Sequence, residues 1–208
     1  SGTLTYPADY SSETPVVLLV SGSGPQNRDE EVYAHKPFLV IADHLARNGI
    51  ASLRYDDRAV GKSTGNAAGA TTDTFKKDAL SGLEFLRSLG KFSKVGLAGH
   101  SEGGTIAFLL AGEGKTDFMI SLAGTVTDGA TVLVEQNRKI LKGSGIPESA
   151  VNDYCEVLAK LYADPGMTAE ELGKLASGLA PEMKQNIMRI RDTKDPWEQH
   201  FISFDPGE

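Results

Sequence analysis

One cysteine in 208 residues, Cys155, leaves no partner for an internal disulfide, and its place in an apolar helical pattern marks it as a core residue. Apolar runs are short. Val16 to Val20 is far below the length that crosses a bilayer, and no charged segment followed by an apolar one opens the chain. A membrane partner and a targeting signal are therefore not expected, and the compartment stays open between cytoplasm and export. Ser1-Gly2-Thr3 reads as a cut end. Basic residues are too few for a polyanion: 21 Lys and Arg stand against 28 Asp and Glu, a net charge of -7 with no basic stripe, which argues against nucleic acid. Histidine is scarce as well, with His35, His44, His100 and His200 as the whole supply.

What is present alternates. Thr3 to Tyr6 reads as a short strand, and Pro15 to Ser21, with Val16-Val17-Leu18-Leu19-Val20 unbroken, as a strand covered on both faces. Phe38, Ile41, Ala42 and Leu45 then recur at helical spacing until Asn48-Gly49, and Ile50 to Tyr55 reads as the next strand. A helix carrying Phe75, Ala79, Leu80, Leu83 and Leu86 leads to a strand at Val95 to Ala98, and a helix from Glu102 leads to a strand at Asp117 to Leu122. This alternation predicts an α/β fold with a doubly wound, mostly parallel sheet. From about Ala130 only helical stripes follow, among them Val151, Tyr154, Cys155, Leu158, Leu161 and Tyr162. The expected division is a core over 1–128, a helical cap over 129–200, and the beginning of a further core segment over 201–208.

The stretch Val95-Gly96-Leu97-Ala98-Gly99-His100-Ser101-Glu102-Gly103-Gly104 carries the chemistry. It is a G-x-S-x-G turn between an apolar strand and a buried helix, which nominates Ser101 as a nucleophile. Gly99 and Gly103 let strand and helix approach without a Cβ clash. The amide of Glu102, at the helix start, is one candidate donor to an oxyanion. Ser21-Gly22-Ser23-Gly24-Pro25 directly after the first buried strand offers the second, through the backbone of Gly22 or Ser23.

Two phosphate-binding patterns are mimicked and fail. Gly22-x-Gly24 meets Asn27 where a third glycine is needed, and Val60-Gly61-Lys62-Ser63 would require a first glycine where Asp56 stands. Nucleotide binding is discounted.

Together, the block Leu19 to Asp29, the block Leu53-Arg54-Tyr55-Asp56-Asp57-Arg58-Ala59-Val60-Gly61-Lys62-Ser63 and the block Gly99 to Gly104 resemble the α/β-hydrolase superfamily. The nearest branch is that of bacterial serine esterases related to the dienelactone-hydrolase and acyl-peptidase groups. The resemblance implies a serine hydrolase that cleaves carboxylic esters through an acyl-enzyme on Ser101, a small-molecule ester as its substrate, and neither metal nor organic cofactor. It also implies bracing roles for Asp57 and Arg58, with a solvated charge pair as the alternative, while Arg28 and Asp29 would rim the site. An ion pair at the helix start would account for the Glu102 side chain.

The base is the missing part. In this fold acid and histidine follow the serine, and His200 alone does so. His35 and His44 read as structural or solvent-facing, and His100 as packed under the elbow. The chain resembles a hydrolase whose acid and histidine lie beyond its last residue, with Phe201 to Pro206 leading into a further strand. His200 beside Asp192 or Asp195 is the substitute base, and a noncatalytic binding module, an acyl-peptidase and a thioesterase are alternatives. Without further strands, Asp117 to Leu122 would be an open edge able to pair with a second copy.

Overall fold

The computed structural model describes residues 1–205 and divides into two compact units, Ser1–Val126 and Thr127–Glu208. In the first, β1 (Gly2–Thr5), β2 (Val16–Val20), β3 (Ala51–Tyr55), β4 (Val95–His100) and β5 (Met119–Leu122) form one sheet in the order β1-β3-β2-β4-β5. β1 runs antiparallel to β3 and every other pairing is parallel. The α/β, mostly parallel reading of the sequence is the fold observed. Strand limits moved by a residue or two: β1 starts and ends one residue early, and β5 begins only at Met119. There the Asp117 carboxylate and backbone are already engaged with Val95 across the end of β4.

Every residue of β2 is buried, because helices cover both faces. Val16, Leu18 and Val20 meet Ala79, Leu83 and Leu86 of α2 (Thr72–Ser88) and Ile106, Ala107 and Leu110 of α3 (Glu102–Gly112). Val17 and Leu19, pointing the other way, meet Phe38, Ile41 and Leu45 of α1 (Pro37–Arg47). The period of two along the strand thus feeds two separate cores.

Chain direction sets where a site can form. From β2 the chain crosses to β3 on one side, and from β4 to β5 on the other. The C-terminal ends of β2 and β4 therefore lie side by side, Val20 opposite Gly99, at the point where the winding reverses.

The second unit is helical: α4 (Gly129–Gly143), α5 (Glu148–Ala163), α6 (Ala169–Leu175), a single 3-10 turn (Ala176–Gly178), α7 (Pro181–Thr193) and α8 (Pro196–Ile202). Val151, Tyr154, Cys155, Leu158, Leu161, Leu172 and Ile187 make its core, so Cys155 is the buried apolar residue that its pattern implied. Leu175, at the end of the short α6, is exposed. Phe201 and Ile202 finish α8 instead of opening a strand, and the Phe204 carbonyl accepts from Gly129 N–H at the start of α4. The expected strand entry is thus absent over 201–205, and 206–208 lie outside the described residues. No helix among the described residues is long and apolar enough to cross a membrane.

Candidate active site

Ser101 occupies the turn between β4 and α3 with φ 52° and ψ -117°, a left-handed φ that a residue with a Cβ adopts at a cost. The surroundings hold it there. Its amide donates to the Leu122 carbonyl at 2.9 Å, and its carbonyl accepts from the Gly104 amide at 2.9 Å as the helix begins. A Cβ on Gly99 would sit 1.9 Å from the Gly103 carbonyl oxygen, and one on Gly103 would sit 2.2 Å from that of Val20. Both positions exclude any side chain. The side chain of Ser101 has no hydrogen-bond partner among the described residues and is partly exposed.

Beside the elbow stands the connection that follows β2. A methyl on Gly22 would lie 3.2 Å from Ser101 Cβ, so the loop expected to offer an oxyanion donor does border Ser101. Its two candidate donors differ. Gly22 N–H donates to Glu30 Oε1 at 2.8 Å, whereas the Ser23 amide has no partner among the described residues. The amide of Glu102 belongs to the first turn of α3, where helix amides point toward the elbow. The Glu102 side chain is buried and accepts from the Thr72 hydroxyl at 2.7 Å, a tie between the starts of α3 and α2.

Carboxylates fasten this loop to the sheet. Asp57, just past β3, accepts from the Ser21 hydroxyl at 3.2 Å and from the Gln26 amide at 2.9 Å. Burial pushes its carboxyl up to about 6, against the hydrogen bonds from Gln26 and Ser21. Asp56 takes Arg28 through Nε at 3.0 Å and Nη2 at 2.6 Å, and that hydrogen-bonded guanidinium holds its carboxyl down at about 2. Asp29 pairs with the buried Arg54. Arg28 and Asp29 therefore tie the loop to β3 and the residues after it through ion pairs. Asp57 and Arg58 do not pair: Arg58 reaches Asp78 on α2 with Nε at 2.8 Å and Nη2 at 2.7 Å.

The histidines divide by location. His35 and His44 are exposed, one in the turn before α1 and one on it. His100 is half-exposed beside the elbow, with Nδ1 2.8 Å from Glu30 Oε1, instead of packed beneath it. Its neighbour Glu30 drew no attention in the sequence: the loop block that carries the resemblance stops one residue short of it, and no local spacing joins positions 30 and 100. The adjacency of β2 and β4 does. His200 lies on α8 in the second unit, with Nε2 buried and unpartnered. Among the described residues, no group of three or more His, Cys, Asp or Glu could hold a metal ion.

Residues 35–196 match the family described as serine aminopeptidase, S33 (Hydrolase_4). Esterase EstD of Thermotoga maritima is 31% identical over 160 residues, 77% of this chain but 38% of EstD. The chain thus spans well under half the length of that relative. Among solved structures, Est1E of Butyrivibrio proteoclasticus, with ferulic acid bound, superposes with a TM-score of 0.52 at 23% identity, covering 67% of this chain and 52% of that one. An esterase of Pyrococcus furiosus gives 0.54 at 16% identity, covering 94% and 78%. Both likenesses carry the fold alone. With the family model matched over residues 35–196, the turn at Ser101 included, the chain belongs to the serine aminopeptidase, S33 (Hydrolase_4) family.

Proposed function

We propose that Ser101 is the nucleophile of a carboxylic-ester hydrolase working through an acyl-enzyme. Ser101 Oγ adds to the acyl carbonyl, and the oxygen that gains charge accepts from the Glu102 amide and from an amide of the Gly22-Ser23 loop. The proton of Oγ passes to a base and then to the departing alkoxide, which leaves as the alcohol; water repeats the addition and frees the acid. The strained elbow carries this reading, since a left-handed serine walled in by two glycines exposes a hydroxyl at a cost that a plain turn would avoid. EstD, the relative at 31% identity, is named an esterase, which supports an ester over an amide. The family description points to peptides, so rates on a p-nitrophenyl ester and on an amino-acid anilide decide the leaving group.

One observation favours a second reading, a binding module that keeps the fold without turnover: no histidine among the described residues hydrogen-bonds Ser101. Intact mass after exposure to a fluorophosphonate separates the two. A hydrolase gains one phosphonyl group that Ser101→Ala, folded by circular dichroism, does not. A folded wild-type chain that stays unlabelled shows that nothing in this chain activates Ser101, which counts against turnover by this chain and for the binding reading.

A further inference from the structure

Glu30 is buried, at 5% exposure, and has φ 50°, a left-handed conformation that a residue with a side chain adopts only at a cost. Its Oε1 accepts twice, from Gly22 N–H and from His100 Nδ1–H, each at 2.8 Å. A carboxylate can only accept, so the proton on that side of the imidazole sits on Nδ1. The two donors come from different strands: Gly22 stands two residues past β2, and His100 is the last residue of β4, immediately before Ser101. One oxygen therefore joins the glycine-rich loop to the elbow. The closeness is independent of those bonds, since a methyl on Gly22 would lie 3.2 Å from Ser101 Cβ, 3.4 Å from His100 Nδ1 and 3.5 Å from Glu30 Oε1.

We infer that Glu30 is a positioning residue for the oxyanion hole: by engaging the Gly22 amide and His100 it fixes the loop so that the Ser23 amide is the loop's donor to the acyl oxygen. The inference rests on the reading of Ser101 as nucleophile. An amide held by a carboxylate at 2.8 Å is not open to a second acceptor, which takes Gly22 out of the role and leaves the neighbouring amide of Ser23. Donors stabilise a developing oxyanion only when they are fixed before the charge appears, and Gly22-Ser23-Gly24 has little stiffness of its own. A buried carboxylate on a strained backbone is a costly way to hold a loop if stability were its only use. Its charge-assisted bonds hold two donors in place where an apolar contact would permit sliding.

The test uses the full chain, with saturation kinetics of fluorophosphonate labelling read by intact mass, and Gly22 amide shifts read by NMR. Glu30→Ala is expected to lower the maximal labelling rate by about 100-fold, the loss typical of one oxyanion donor, with the half-saturating concentration unchanged. A chain merely loosened would raise that concentration too. Glu30→Gln keeps the volume and one accepting oxygen, and is expected to lose about tenfold. In both variants the Gly22 amide proton moves upfield. A folded Glu30→Ala labelled within about twofold of wild type overturns the inference, as does an unmoved Gly22 amide. Should Glu30→Ala fail to fold, Glu30→Gln at the wild-type rate overturns it. A wild type that Ser101 does not label removes the nucleophile reading and this inference together; a labelled wild type with unchanged variants removes this inference alone.

Discussion

At Gly103, one added carbon would lie 2.2 Å from the Val20 carbonyl oxygen and 2.5 Å from that of Ser21. Both are backbone, so β2 and its loop must move away from α3. Gly103→Ala is expected to cost about 1–3 kcal/mol in urea denaturation and to slow phosphonate labelling, because Ser21 and Gly22 move with β2. Gly112→Ala is the internal control: nothing lies within 4 Å of its Cβ, so it should be neutral or stabilising by up to about 1 kcal/mol. Asp57 yields a prediction in pH. Its folded carboxyl titrates at about 6 against an ordinary 3.8, so the folded state binds the proton more tightly than the unfolded state does. Stability contributed by that proton is present below about pH 4 and is lost as pH rises to about 6, a change of no more than about 3 kcal/mol. Asp57→Asn removes the titration, so denaturation midpoints measured across that window should lose this downward slope. A slope as steep as that of wild type would show that another group carries it.

Among the elements, the amount visible in the sequence followed how local each cause is. Five unbroken apolar residues announced β2, and glycines two residues to either side of Ser101 announced the elbow. The antiparallel placement of β1 beside β3 had no such signal, because pairing partners are chosen by the assembled sheet. Glu30 went unseen for the same reason, as its two donors belong to strands that meet only in the fold. His100 was misplaced because spacing along β4 does not register a carboxylate arriving from another loop. Capping, in contrast, is local and testable. Thr168 Oγ1 accepts from Glu171 N–H at 3.2 Å while Glu171 Oε2 accepts from Thr168 N–H at 2.9 Å, closing the first turn of α6. Thr168→Ala should cost about 1 kcal/mol. The single tryptophan, Trp197, stacks on Phe201 within the same unit, so its fluorescence during denaturation reads the loss.

For the molecule as a whole, the sheet order leaves β5 paired with β4 alone among the described residues. Among the described residues no strand pairs with its other side, and Ile120 and Leu122 are 44% and 36% exposed on one face. On that same face Phe118 is packed under α1, so the apolar stripe continues past the cover that α1 provides. A strand edge left unpaired, with apolar side chains beside it, is a template for another strand. A second copy of this chain meeting the edge antiparallel would satisfy the free amides and carbonyls of both strands and cover both pairs of side chains. Sedimentation velocity at rising protein concentration should then show a reversible shift from monomer to dimer. Ile120→Lys places a charge on the edge without touching the buried face of β4, so it should hold the chain monomeric with its melting temperature unchanged. A wild type that stays monomeric throughout would rule out self-association through β5. A dimer that survives Ile120→Lys would place the contact elsewhere on the surface.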